Sequence, residues 1–179
     1  MSKIHRVVPT GPIRDPFTAR LGAGTGAGNW LSLLDQGKFV KLVAESRFDL
    51  AAVGDLIEHQ IIAVDVDPSG GYTVGSISGN VDRETMYVTA DGLQATPGTG
   101  TIAVGDYVVV GTVVAKGTAL PAGDGGPRVC KATIQLGSVP ADLAAAGYQA
   151  KYAAFPWRVV SLGPVGTGAV GTMIVIKPV

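Results

Sequence analysis

The sequence predicts a mainly β protein: a β-barrel or β-sandwich body, an extended N-terminal arm ahead of it, and one or two short helices. Three observations predict this. Short runs rich in Val, Ile, Thr and aromatic residues recur after residue 37, the composition that suits a pleated, half-buried surface. Clusters of Gly, Pro, Asp and Ser separate most of these runs, which argues for a barrel or sandwich over a sheet of βαβ units. Residues 1–28 differ from the rest in carrying Pro9, Pro12 and Pro16, then Gly22, Gly24, Gly26 and Gly28. Proline removes backbone donors and glycine raises the entropy cost of order, so neither a helix nor a central strand is expected there.

The elements follow in order. Residues 1–36 read as an extended arm, because Ile4, Val7, Val8, Ile13, Phe17 and Leu21 give it apolar content that a linker does not need. A short helical turn closes the arm. Asn29 is its expected cap, Trp30, Leu33 and Leu34 have helical spacing, and Gly37 suits the C′ position. Residues 37–179 form the β-rich body, with strands expected over 39–43, 56–66, 72–78, 85–89, 107–115, 129–136, 157–162 and 172–177. The stretch 129–136 alternates most cleanly: Cys130, Ala132, Ile134 and Leu136 share one face, and Val129, Lys131, Thr133 and Gln135 the other. One connecting helix is expected after Ser138 as N-cap, with Pro140 in its first turn, 141–146 as its body and Gly147 as its stop.

The chain contains an echo. Ala52-Val53-Gly54-Asp55 and Ala103-Val104-Gly105-Asp106 each precede an apolar run. Glycine supplies a left-handed turn position and Asp bonds a nearby backbone N–H as the strand begins. Two copies are too few for a solenoid, so the echo predicts two similar strand starts in one barrel.

Composition limits the chemistry. Charged residues make up 16% of 179 residues, and 14 basic against 14 acidic residues give a formal net charge of zero. No surplus of positive charge is present to displace counterions from a nucleic acid, and a weakly charged, neutral surface favours association. One cysteine, Cys130, forbids an intrachain disulfide, and with two histidines no multi-histidine or Cys-based metal centre is expected. The N-terminus has no apolar h-region and the longest apolar stretch, 107–115, is too short to span a bilayer. The expectation is a protein that is not exported, or one that ends inside a larger assembly, with no membrane or nucleic-acid partner and no cofactor.

The motifs lead the same way. Gly166-Thr167-Gly168-Ala169-Val170-Gly171 matches the dinucleotide fingerprint, but the residues after it read as a strand where the pyrophosphate needs a helix N-terminus. Gly22–Gly28 lacks the Gly-Lys-Ser/Thr of a P-loop, and Gly75-Ser76-Ile77-Ser78-Gly79 has the wrong spacing for a nucleophile elbow. Asp49, Asp55 and Glu58, and the pair Asp65 and Asp67, read as solvated turn residues in preference to an acid–base pair. A calcium loop starting at Asp65 would have Gly70 at position six but Ser76 where the bidentate Glu belongs. His59 reads as an outward polar residue, Cys130 as a small core hydrophobe, and Trp30 and Trp157 as core or interface anchors. No catalytic, cofactor or metal residue is predicted, and no enzymatic activity.

The segments 37–50, the two Ala-Val-Gly-Asp strings, Trp157-Arg158-Val159-Val160-Ser161-Leu162-Gly163, and Gly166 through Thr172 together resemble the capsid decoration, or cement, proteins of tailed bacteriophages. The resemblance covers the body in blocks. It implies a β-rich homotrimer that binds the outside of a capsid at local threefold positions and holds neighbouring capsomers together. Its partners would be the major capsid protein and itself, its place the capsid surface of the virion after synthesis in the host cytoplasm. The long stretch ahead of the barrel departs from the small decoration proteins. An extended arm can add a strand to a neighbour's sheet edge, so the candidate capsid or subunit interface is Ile13, Arg14, Phe17, Arg20 and Trp30. Two other readings remain open: a soluble β-barrel binding module with a Gly-rich tether, and another virion part such as a head-fibre base or tail protein.

Overall fold

The computed structural model describes residues 17–22, 29–66, 73–79, 86–121, 126–132 and 157–178. The described chain is mainly β, as expected. A barrel is built from β1 (Phe17–Leu21), β2 (Phe39–Ala44), β3 (Arg47–Leu50), β4 (His59–Val66) and β5 (Thr73–Gly79), and it closes in the order β1-β3-β2-β4-β5. The second sheet contains β6 (Met86–Leu93), β7 (Thr96–Pro97), β8 (Val108–Val110), β9 (Arg128–Lys131), β10 (Trp157–Ser161) and β11 (Met173–Pro178). Its order is β10-β11-β6-β9-β8, with β7 folded back on β6. A bridge between Tyr107 and Arg158 draws its two edges together. Most pairs are antiparallel; β1–β3 and β6–β9 are parallel.

Alternation explains how the sheets meet. On β10, Trp157 and Val159 are buried while Arg158 and Val160 face outward; on β11, Ile174 and Ile176 are buried. These residues pack with Met86, Val88, Ala90, Ile102, Val108 and Val110, and with Phe39, Ala51 and Ile57 from the barrel side. One core therefore spans both sheets. The indole N–H of Trp157 reinforces it by donating to the Ile57 carbonyl at 3.1 Å. A second core fills the barrel with Ala19, Leu21, Leu31, Val40, Phe48, Ile61 and Val64.

The described parts of residues 1–36 belong to the barrel. β1 lies between β3 and β5, pairing Thr18 with Ser76 and Leu21 with Phe48, and it puts Ala19 and Leu21 into the core. The chain then returns so closely (Leu31 N–H to Leu21 O, 2.9 Å) that a Cβ on Gly22 would lie 2.5 Å from the Asn29 carbonyl oxygen. Residues 17–22 and 29–36, expected within the arm, are therefore part of the barrel body. The short turn exists as a 3-10 helix, Leu33–Asp35, but Ser32 caps it in place of Asn29. The Ser32 hydroxyl accepts from Leu34 N–H, and the Asp35 carboxylate accepts from Ser32 N–H, a capping box. Gly37 follows with φ +87°. The connecting helix expected after Ser138 falls outside the described residues.

Two expected strands are shorter than their apolar runs. The run 56–66 becomes strand only at His59, and 107–115 only over Val108–Val110, because the backbone between is spent on turns and crossings between the sheets. The alternation of 129–136 holds through Ala132, yet neither face is solvent at its start. Val129 joins the shared core while Cys130 and Ala132 pack with Tyr107 and Val109 on the other side. The strands β1, β3 and β7 are absent from the sequence-based expectation.

Candidate interaction surface

The Ala-Val-Gly-Asp echo folds as predicted and goes further. In the first turn, Asp55 N–H donates to Ala52 O (3.0 Å), Gly54 has φ +86°, and the Asp55 carboxylate accepts from Ala52 N–H at 2.7 Å. In the second, Asp106 N–H donates to Ala103 O (3.1 Å), Gly105 has φ +96°, and the Asp106 carboxylate accepts from Ala103 N–H at 2.8 Å. Each turn then docks on a strand distant in sequence. Gly54 N–H donates to Val110 O and Val110 N–H to Asp55 O; Gly105 N–H donates to Val159 O and Val159 N–H to Asp106 O. A lysine closes each on the outside: Lys41 to Asp55 at 2.6 Å and Lys131 to Asp106 at 3.0 Å.

A third copy is present at Ala169-Val170-Gly171-Thr172. Thr172 N–H donates to Ala169 O (3.0 Å), Gly171 has φ +83°, Gly171 N–H donates to Ala90 O, and Ala90 N–H to Thr172 O. Threonine replaces the aspartate, and its hydroxyl donates to Ala169 O at 2.6 Å. Two residues beyond each turn lies a core side chain: Ile57, Val108 or Ile174. Sequence reasoning tests this third string against the nucleotide fingerprint, which is why it goes unseen as a turn. The repeated Ala-Val-Gly was the signal that could have found it. The strand β11 after it removes the helix that a nucleotide site requires.

Several described polar side chains help to hold the fold together. Asp35 is fully buried and accepts from Lys38 Nζ (2.7 Å), Ser32 N–H (2.7 Å) and Gly117 N–H (2.9 Å). Burial alone would raise its carboxyl, but Lys38 and the two backbone donors outweigh that and hold it below the ordinary carboxylate range. Lys38 Nζ also donates to Ala115 O, so the pair clamps the loop after β8 to the barrel. Lys116 adds contacts to Asp49 (3.1 Å) and Asn29 O (3.1 Å). In the second sheet, buried Asp91 accepts from Thr112 N–H and pairs with Arg128 at 3.0 Å. Burial, with the Asp91 charge second, pushes the Cys130 thiol up to about 12, far from the range of a reactive thiolate.

The predicted site residues separate. Ile13 and Arg14 lie outside the described residues. Arg20 is exposed on the outer face of β1, Trp30 is half-buried beside Gly22, and Phe17 begins β1 opposite Ile77. Asp49 and Asp55 take separate lysine partners and form no carboxylate pair. The His59 ring packs edge-on against Phe48, with centroids 5.0 Å apart, rather than pointing outward. Among the described residues no group of three or more His, Cys, Asp or Glu is arranged to hold a metal ion, and no helix is long and apolar enough to cross a membrane. A small pocket beside Lys38, Phe39, Val110 and Arg128 encloses about 20 Å³, room for roughly one water molecule.

Exposed aliphatic side chains remain. Leu33, Leu34, Leu42, Val43, Val53, Leu93, Val104, Val160, Val165 and Val170 all face solvent, and three of them, Val53, Val104 and Val170, occupy the same position of the three turns. No protein family, curated protein or solved structure matches the chain.

Proposed function

We propose that this chain is a structural virion protein that binds the outer surface of a phage capsid and stabilises contacts between capsomers. The observation that carries the reading is the division of labour among side chains. Buried Asp35 and Asp91, the turn aspartates and Cys130 are committed to the fold, while aliphatic groups on rigid turns are left outside. Such a body suits contact with other proteins. The major capsid protein is the proposed partner, further copies of the chain complete a homotrimer, and repeated weak contacts on a shell add through avidity.

The proposed capsid contact is on the outer face of the barrel. β1 presents Thr18 and Arg20 outward, directly after residues 1–16, which carry Ile13 and Arg14. The test is sedimentation of the purified protein with shells that lack it, followed by cryo-EM of the particles. Saturable binding and added density outside the shell are expected. A protein that stays in the supernatant at every concentration would end the proposal. Removing residues 1–16 should weaken binding without unfolding the barrel. Removing residues 1–28 should also unfold it, because Ala19 and Leu21 leave the core.

A further inference from the structure

The chain is neutral as a whole but not along its length. Residues 1–20 carry Lys3, Arg6, Arg14 and Arg20 against the single acidic Asp15, and the remainder is correspondingly acidic. The basic stretch enters the fold through β1, where Arg20 lies directly opposite Arg47 of β3 and Arg20 N–H donates to Ser46 O at 3.1 Å. Ala19, Leu21 and Phe48 are buried, so alternation turns Arg20 and Arg47 to the outer face of the barrel. Neighbouring strands run about 4.8 Å apart, and like charges placed opposite one another repel. Neither flank supplies an acid: Ala44 is across from Arg47, and Val74 from Arg20. The row reaches a carboxylate only at Asp65, two strands beyond Arg20. Asp49, two residues along β3, is taken by Lys116 at 3.1 Å.

Two features single out Arg47. Its Nε is buried and meets no hydrogen-bond partner among the described residues, an arrangement that native folds seldom leave without a reason. It also follows Ser46, the only described non-glycine residue with positive φ, +52°. A left-handed serine is uncommon, and backbone held in such a region gathers at binding sites. Here it forms the turn that sets Arg47 across from Arg20. The second sheet holds a basic pair in the same register, Arg158 opposite Lys177, but Arg158 is already engaged with Gly105 O and the Tyr107 ring.

We infer that Arg47, with Arg20 beside it, is the site at which the barrel receives an acidic side chain, Asp or Glu, of its protein partner. The argument for that occupant is charge and shape. A guanidinium takes a carboxylate through two parallel N–H bonds. Arg47 is only half-buried, so its side chain can turn outward and give Nε–H the acceptor it lacks. A carboxylate set between the two arginines also relieves their repulsion. A nucleic acid is the poorer fit, because two guanidiniums neutralise too few phosphates to hold one. The inference rests on the capsid reading for the identity of the partner and on the barrel alone for its chemistry.

Two measurements keep the inference apart from the capsid reading. The first follows the Arg47 Nε–Hε resonance of the full chain by NMR as a hexaglutamate peptide is added at about 50 mM salt, where surface charge is weakly screened. A saturable shift is expected. No shift at about 5 mM peptide, or a shift with inorganic phosphate and none with the peptide, would overturn the inference. The second is sedimentation with shells that lack the protein, with far-UV circular dichroism as the check on folding. Arg20→Gln/Arg47→Gln should weaken binding by about 10-fold or more. Arg158→Gln/Lys177→Gln removes the same charge from the second sheet and should leave binding unchanged. Should the glutamines disturb the spectrum, Arg47→Lys makes the comparison at constant charge, and weaker binding is again expected because the paired geometry is lost. Undiminished binding by the barrel variants, or equal loss in both double variants, would overturn the inference and leave the capsid reading standing. A wild type that ignores shells yet shows the peptide shift would end the capsid reading and uphold the acidic-partner site.

Discussion

The turns at 52–55 and 103–106 share a backbone and differ in what surrounds them. Both use a left-handed glycine, an aspartate that caps the N–H three residues back, and a docking strand from elsewhere in the chain. The first is closed by Lys41, whose strand partner is Asp49; the second is closed by Lys131, with Arg158 donating to the Gly105 carbonyl. Repeated hydrogen-bond geometry thus sets the shape of the turn and leaves the surface around it to vary. Valine at the outward position in all three copies is not required by the turn, which only needs glycine next to it.

The comparison breaks hardest at the joint between the halves. Replacing Lys38 by Met should cost about 3–5 kcal/mol in urea unfolding, since it leaves the buried Asp35 carboxylate without its cation. Arg128→Met removes the partner of Asp91 in the second sheet, but Arg128 is a quarter exposed, so its loss should be smaller. Equal losses would mean that burial does not govern these pairs.

Acid probes the same joint. Asp35 titrates below its ordinary 3.8 in the folded state, so its contribution is complete above about pH 4 and is lost as pH falls through the folded value. Stability measured from pH 6 to pH 2 should drop in that lower window, and Asp35→Asn should flatten the drop. At the alkaline end Cys130, held at about 12 against an ordinary 9.0, stays protonated while the unfolded chain ionises. Its share of stability is present below pH 9 and is lost progressively above it, and Cys130→Ala should remove that slope.

The turns give finer tests. Gly54→Ala, Gly105→Ala and Gly171→Ala should each cost about 1–2 kcal/mol, because each places a side chain at positive φ. A near-zero value at one of them would separate it from the other two. Asp55→Ala and Asp106→Ala should cost about 0.5–2 kcal/mol through the lost cap. The smallest effect should be Val53→Thr, within about 0.5 kcal/mol, as expected for an exposed site.

Local chemistry was readable before the structure. The strands β2, β5, β6, β10 and β11 follow from β-branched runs between turn residues, and Gly54 and Gly105 were legible as turn glycines. The Ser32-Leu33-Leu34-Asp35 capping box was also in the sequence, though Asn29 drew attention from it. β1 was not legible, since the prolines and glycines around Phe17–Leu21 argue against a strand and only pairing with β3 and β5 on both sides makes it one. Arg20 and Trp30, expected on an extended arm, pair within the barrel sheet or beside it.

The sequence alone determined the β class, the turn chemistry and the scarcity of charge, because these depend on the conformational preferences of each residue and its near neighbours. Tertiary structure decided that β1 closes the barrel, that Val129 faces a core, that Ala169-Val170-Gly171-Thr172 is a third turn, and that Arg20 lies opposite Arg47. Each of those depends on a hydrogen bond or contact between residues far apart in the chain, and local composition does not specify such partners.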